Sequence, residues 1–315
     1  MKTVAIVGVG LMGGSFALAL RKAGFQGKII GVSSPKTIQK ALARGAIDEA
    51  RPLAEAAAVA DLVYLSQPIS QILATLEVLE TDALVTDAGS TKAVICERAR
   101  KLKRGRFVGG HPMAGKELRG VEQADADLFR GRPYVLTSRE PQLEAWIERF
   151  GARLVVLDPA EHDRLVAFVS HLPQLLSTTL ASVLAGKENV AGPAAADLTR
   201  LALSPYDIWR DIFATNAEPI DAALSAFIAR LEEVRTQLRS SHLEGLFSRA
   251  AASARALRGH QKNQRFRSCE RCCSLWIPRH TRRPYSRAVH PRFLHAARYP
   301  DACGELSECR RLPGT

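Results

Sequence analysis

The sequence predicts an α/β protein: a doubly wound parallel sheet, then an all-helical domain, then a compositionally distinct tail. Three observations predict it. Short β-branched runs alternate with helix-period stretches up to Leu157. Strand signals stop at Pro159-Ala160-Glu161-His162-Asp163, and only helical periodicity follows. From Arg258 onward even that periodicity is lost. The corresponding domains are 1–158, 159–257 and 258–315.

Taken in order, the strand candidates are Thr3–Val7, Lys28–Val32, Asp61–Leu65, Ala83–Thr86, Arg106–Val108, Tyr134–Thr137 and Leu154–Leu157. Between them, helical spacing covers Met12–Ala23, Pro35–Arg44, Ser70–Leu79, Thr91–Leu102 and Pro141–Phe150. The second region is helical, with breaks at Gly186–Pro193 and Ser204–Pro205, where glycine and proline interrupt the pattern. Within it, Ile220, Leu224, Phe227, Leu231, Val234 and Leu238 recur at helical spacing, so Pro219–Arg239 is an amphipathic helix. Its stripe faces either its own core or a partner.

At 315 residues the chain can build two domains with sizeable cores. No apolar run approaches the roughly 20 residues of a membrane span, and the N-terminus has no small-residue cleavage site. The expectation is a cytoplasmic protein with no membrane partner. Its net charge of +12 suggests nucleic acid until the charge is located. From Arg258 there are 13 Lys+Arg against 4 Asp+Glu, so the tail holds +9 and the rest only +3. The tail also holds Cys269, Cys272, Cys273, Cys303 and Cys309, leaving Cys96 alone in the body. Rich in Arg, Pro, Ser and His, it is expected to be disordered, or to be a frameshifted reading of a high-GC gene. Its cysteine and histidine spacing matches no standard zinc pattern, so no metal is expected.

Gly8-Val9-Gly10-Leu11-Met12-Gly13 is a G-x-G-x-x-G that follows a predicted strand and opens a predicted helix. The first glycine permits the turn and the second lets backbone N–H groups approach a pyrophosphate. The third lets helix pack on strand, and the helix N-terminus favours the anion. This predicts a Rossmann-type nucleotide site on Gly8, Gly10, Leu11, Met12 and Gly13. The second strand ends Val32-Ser33-Ser34-Pro35-Lys36, with no acid at its tip. Nothing there repels a ribose 2′-phosphate, while Ser33, Ser34 and Lys36 can hold one, which favours NADP over NAD. Ser66 and Pro68, after the third strand, are expected to line the cofactor cleft.

Further motifs follow in order: Asp87-Ala88-Gly89-Ser90-Thr91-Lys92, Gly109-Gly110-His111-Pro112-Met113-Ala114-Gly115, Ser170-His171-Leu172-Pro173-Gln174, Asp197-Leu198-Thr199-Arg200 and Trp209-Arg210-Asp211-Ile212. Together with the glycine run they resemble the prephenate/arogenate dehydrogenases, over the chain up to about residue 250. The resemblance implies oxidative decarboxylation of a cyclohexadienol, with hydride passing to NAD(P) and carbon dioxide leaving. It also implies roles. His111, in a tight glycine-flanked bend, takes or polarises the hydroxyl proton, and Ser90 binds the substrate hydroxyl. Arg200 binds a substrate carboxylate through its planar fork. Ser170, His171 and Gln174 face the cleft. Some family members carry histidine where this chain has Gln174, and an amide suits either a pyruvyl or an alanyl side chain. The leading expectation is a prephenate dehydrogenase giving 4-hydroxyphenylpyruvate, with an arogenate dehydrogenase giving tyrosine as the alternative. The helical domain is similar to one that builds a homodimer. A remote alternative is nucleic-acid binding through the tail, which lacks interleaved aromatics on a folded platform.

Overall fold

The computed structural model describes residues 1–102, 105–116, 118–240 and 242–273, with side chains up to residue 259. The first half is built from β1 (Thr3–Val7), α1 (Leu11–Lys22), β2 (Lys28–Val32), α2 (Pro35–Ala43), β3 (Glu49–Ala50), α3 (Leu53–Val59), β4 (Leu62–Leu65), α4 (Ile69–Val78), β5 (Leu84–Asp87), α5 (Ala93–Ala99) and β6 (Arg106–Val108). Its six strands form one parallel sheet in the order β3-β2-β1-β4-β5-β6. The central strands read as unbroken apolar runs because helices cover both faces: Val4 to Val7 and Leu62 to Leu65 are all buried. Chain order reverses between β1 and β4, so the loops after Val7 and Leu65 open a crevice at the carboxyl ends of the strands, where such sheets bind ligands.

The second sheet departs from the expectation. The last two predicted strands do not extend this sheet. They form β8 (Pro133–Leu136) and β9 (Arg153–Val156), separated by α6 (Pro141–Arg149), in a second, three-stranded sheet. Its third strand is β7 (Gly110–Pro112), within the segment expected to be a tight bend. His111 therefore sits on a strand, paired with Val135 of β8. The bend reading fails because two glycines here serve close approach rather than a turn: a Cβ on Gly110 would lie 2.4 Å from the Asp87 carbonyl oxygen. The two sheets share one core, in which Phe16 stacks on Tyr64 at 3.9 Å and meets Phe150 edge-on.

The helical region runs α7 (Pro159–Val166), α8 (Leu172–Val183), α9 (Pro193–Thr199), α10 (Tyr206–Thr215), α11 (Ala217–Arg239) and α12 (Glu244–Cys273). Between α7 and α8 lies one π-helical turn, Ala167–His171, a feature often found at functional sites. The continuous helix Pro159–Val183 is in fact long and apolar enough to cross a membrane, contrary to the expectation of no such run. Its buried polar residues are His162, Asp163, His171, Gln174 and Ser177, which bond within the protein. The stripe on α11 divides: Ile220 and Ala223 are buried against Ala167 and Leu172, while Ile228, Leu231 and Leu238 are exposed. The final helix continues beyond Arg258 to Cys273. The rest of the expectation for the tail, residues 274–315, lies outside the described residues.

Candidate active site

The glycine loop is shaped by backbone contacts. Gly8 has φ +91°, where only glycine is unstrained. A Cβ on Gly13 would stand 2.4 Å from both the Gly8 carbonyl oxygen and Ser66 Oγ, so helix α1 can lie this close to the strands only with glycine there. Gly10 is different, since a Cβ there would meet nothing within 4 Å. Its side of the loop is open, as the approach of a pyrophosphate requires. Leu11, Met12 and Gly13 form the first turn of α1, which has no side-chain cap and no acidic residue. Their N–H groups and the positive end of the helix dipole suit a phosphate, so the residues present fit a dinucleotide.

Ser66 serves this loop as a brace: its hydroxyl donates to the Gly8 carbonyl at 2.8 Å. Pro68 stands at the start of α4 on the same side of the crevice. Ser33, Ser34 and Lys36 are exposed at the end of β2 and the start of α2, with Ser34 Oγ donating to Thr37 Oγ1 at 3.0 Å.

The chemical centre is assembled from both halves of the chain. Asp87, at the end of β5, accepts from the Gly89 N–H (2.8 Å), the Gly110 N–H (3.0 Å) and the Lys92 ammonium; Asp87 and Lys92 are both completely buried. One carboxylate thus ties the Ser90 loop to the His111 strand. Ser90 is half-buried between them, and among the described residues its hydroxyl has no partner. It is not needed to cap the helix that follows. Asp163 does that from α7, accepting the Lys92 N–H at 2.6 Å and the Ala93 N–H at 2.8 Å.

Asp163 also accepts from His162 Nδ1 at 2.7 Å, and His162 Nε2 lies 2.8 Å from His111 Nδ1. These partners assign the tautomers. A carboxylate meeting three N–H donors can only accept, so His162 carries its proton on Nδ1. In the neutral rings His162 Nε2 then accepts from His111 Nδ1, and His111 Nε2 is left with a free lone pair. Burial, reinforced by His162 and Lys92 nearby, holds the His111 pKa well below its ordinary 6.5. The centre therefore presents a neutral imidazole as a proton acceptor, oriented by a second imidazole and a carboxylate.

His162, Asp163, Asp87 and Lys92 were not among the site residues expected from sequence. Asp87 and Lys92 lie within the motif Asp87–Lys92, in which only Ser90 carried an expected role. His162 and Asp163 marked only a domain boundary.

His171 ends the π-helical turn, 1% exposed, with Nδ1 3.1 Å from Asn216 Nδ2 and its ring edge-on to Trp209. Ser170, beside it, is half-buried. Gln174 is buried, and both protons of its amide nitrogen are spent inside the protein, on the Leu201 carbonyl (2.9 Å) and Thr178 Oγ1 (3.2 Å). It thereby fastens to α8 the 3₁₀ turn Arg200–Leu203, which places exposed Arg200 at its start. A cavity of 610 Å³ lined by Met1, Asp61, Thr81, Asp82 and Arg106 lies at the amino ends of the strands, away from these groups.

Two family models match the chain: prephenate dehydrogenase, nucleotide-binding domain, over residues 16–161, and prephenate dehydrogenase, dimerization domain, over 158–251. A prephenate dehydrogenase of Lactococcus lactis subsp. cremoris is 34% identical over 279 residues, covering 83% of this chain and 79% of the relative. Among solved structures, prephenate dehydrogenase from A. aeolicus in complex with hydroxyphenyl propionate and NAD+ superimposes with a TM-score of 0.71 at 32% identity, over 81% of this chain and 96% of that one. Synechocystis arogenate dehydrogenase gives a TM-score of 0.68 at 29% identity, over 82% and 99%.

Proposed function

The chain belongs to the prephenate dehydrogenase family of NAD(P)-dependent oxidoreductases, and from that premise we propose that it oxidatively decarboxylates prephenate to 4-hydroxyphenylpyruvate, a step of tyrosine biosynthesis. The observation that carries the reading is the lone pair on His111 Nε2, fixed by the His162–Asp163 relay. Residues Gly8–Gly13 would hold the pyrophosphate of a nicotinamide dinucleotide, which when bound would supply the acceptor for the hydride of the hydroxyl-bearing ring carbon. As that carbon becomes a carbonyl, His111 Nε2 takes the hydroxyl proton and the relay disperses the charge. Ser90 donates to the same oxygen and orients it. Arg200 pairs with a substrate carboxylate. Loss of carbon dioxide returns an electron pair to the ring, and the phenolic oxygen takes the proton back from His111. Aromatisation supplies the driving force, so the protein's task is orientation and this one reversible proton transfer.

NADP is the favoured cofactor in this reading, because Ser33, Ser34 and Lys36 stand exposed at the tip of β2 with no acid among them. Arogenate is the second substrate to consider. Gln174 has no amide proton left to donate, and its remaining acceptor oxygen suits an ammonium better than a ketone. The dimer implied by the helical domain would use the surface that leaves Leu198, Leu203, Tyr206, Ile228 and Leu231 exposed on the single chain. Reduced-cofactor absorbance with each of prephenate and arogenate, paired with each of NAD and NADP, tests the whole reading. Turnover is expected to be fastest with prephenate and NADP. No turnover by folded protein in any pairing would overturn it.

A further inference from the structure

His171 shows a buried group that the protein leaves half satisfied. Its Nε2 is inaccessible to solvent and, among the described residues, has no hydrogen-bond partner, whereas its Nδ1 is bound. Which nitrogen carries the proton follows from Asn216. The Asp163 backbone carbonyl can only accept, so the Asn216 amide must turn its nitrogen toward it, at 2.9 Å. The second proton of that same nitrogen points at His171 Nδ1, 3.1 Å away. An NH₂ group cannot accept, so Nδ1 is the lone-pair nitrogen and the proton of the neutral ring is on Nε2.

We propose that Asn216 is a positioning residue that holds His171 as a neutral hydrogen-bond donor to an oxygen of the ring substrate. The inference rests on the reading of the reaction given above. Asn216 is 2% exposed at the junction of α10 and α11, and its side chain makes no capping bond to α11, so its amide is not committed to the helix. An unpaired buried donor is costly, and an acceptor arriving with the ligand removes that cost. Burial lowers the His171 pKa to about 4, so the ring keeps a single proton at neutral pH. Asp163 then sets two histidines with opposite polarity. Its carboxylate, through His162, makes His111 Nε2 an acceptor; its backbone carbonyl, through Asn216, makes His171 Nε2 a donor. A hydroxyl to be deprotonated and an oxygen to be held need this pairing.

The test is long-range ¹H–¹⁵N correlation spectroscopy on the ¹⁵N-labelled full chain at neutral pH, with the His171 signals assigned by their loss in His171→Gln. The wild type is expected to show the Nε2–H tautomer. In Asn216→Leu the tautomer preference should be lost and KM for the ring substrate should rise about tenfold, as removal of one hydrogen bond from the bound state predicts, with kcat and cofactor KM little changed. Asn216→Ala repeats the test if the leucine variant does not fold. A wild-type proton on Nδ1, or a folded variant that keeps both tautomer and KM, would overturn the proposal. Failure of the wild type on both prephenate and arogenate would instead overturn the functional reading, leaving the tautomer measurement to decide whether Asn216 governs His171.

Discussion

The glycine loop and the histidine relay sit in one cleft but are made in different ways. The loop is a continuous piece of backbone whose shape comes from what its residues lack: Gly8 adopts φ +91°, Gly13 lets the helix approach, and Gly10 leaves space for a ligand. The relay is made of side chains far apart in sequence. His111 comes from β7 in the first half, His162 and Asp163 from α7 in the second, and Asp163 reaches back to cap α5. A site built from one short segment is readable as a motif. A site built across the boundary between two domains exists only once both have folded and docked.

The comparison yields predictions of decreasing size. The largest is for His111→Asn, which removes the proton acceptor without touching the loop. It should lower kcat about 10²–10⁴-fold, the usual worth of general acid–base catalysis, while cofactor affinity measured by fluorescence titration stays unchanged. A parallel loss of cofactor affinity would show that loop and relay are not separable. Asp163→Asn comes next, because it strikes the relay, the cap of α5 and the docking of the domains together. Loss of the cap alone costs about 1 kcal/mol, so both the thermal midpoint and kcat should fall. A drop in kcat with no drop in midpoint would mean that Asp163 does not hold the helix.

The loop can be divided by its own glycines. Gly13→Ala forces a Cβ to within 2.4 Å of a carbonyl oxygen and should destabilise the fold by about 1–3 kcal/mol, the range for overpacking. Gly10→Ala meets no protein atom and should unfold at the wild-type temperature. Its damage should appear only as a raised cofactor KM. Equal loss of stability in both variants would break the distinction drawn here.

The smallest effect is on pH. Burial depresses the folded-state pKa of His111 well below 6.5 and that of His171 to about 4, so the folded chain refuses protons that the unfolded chain accepts. Their contribution to stability is complete above about pH 6.5, the ordinary histidine value, and is lost as pH falls toward the folded values. Chemical denaturation at pH 7.5 and at pH 5 should show the acidic sample to be the less stable. The acid limb of kcat/KM should likewise lie below 6.5.

Much of the fold was legible because its signals are local. Predicted strands at Thr3–Val7, Lys28–Val32 and Arg106–Val108 coincide with β1, β2 and β6, and the helix breaks at Gly186–Pro193 and Ser204–Pro205 fall where α8 has ended and α10 begins. β3 was missed because two residues give no periodicity. The second sheet was missed because a strand's period does not say which sheet it joins. Periodicity and glycine placement, properties of consecutive residues, determined by themselves the two kinds of domain and the dinucleotide loop. Ordered motifs added the family and His111. Only tertiary structure decided that His111 lies on a strand, that Lys92 and Asp87 are buried against each other, and that Asp163 sets the polarity of two histidines. The physical reason is that a proton's place on an imidazole depends on which donors and acceptors surround it, and those partners come from elements more than 40 residues away along the chain.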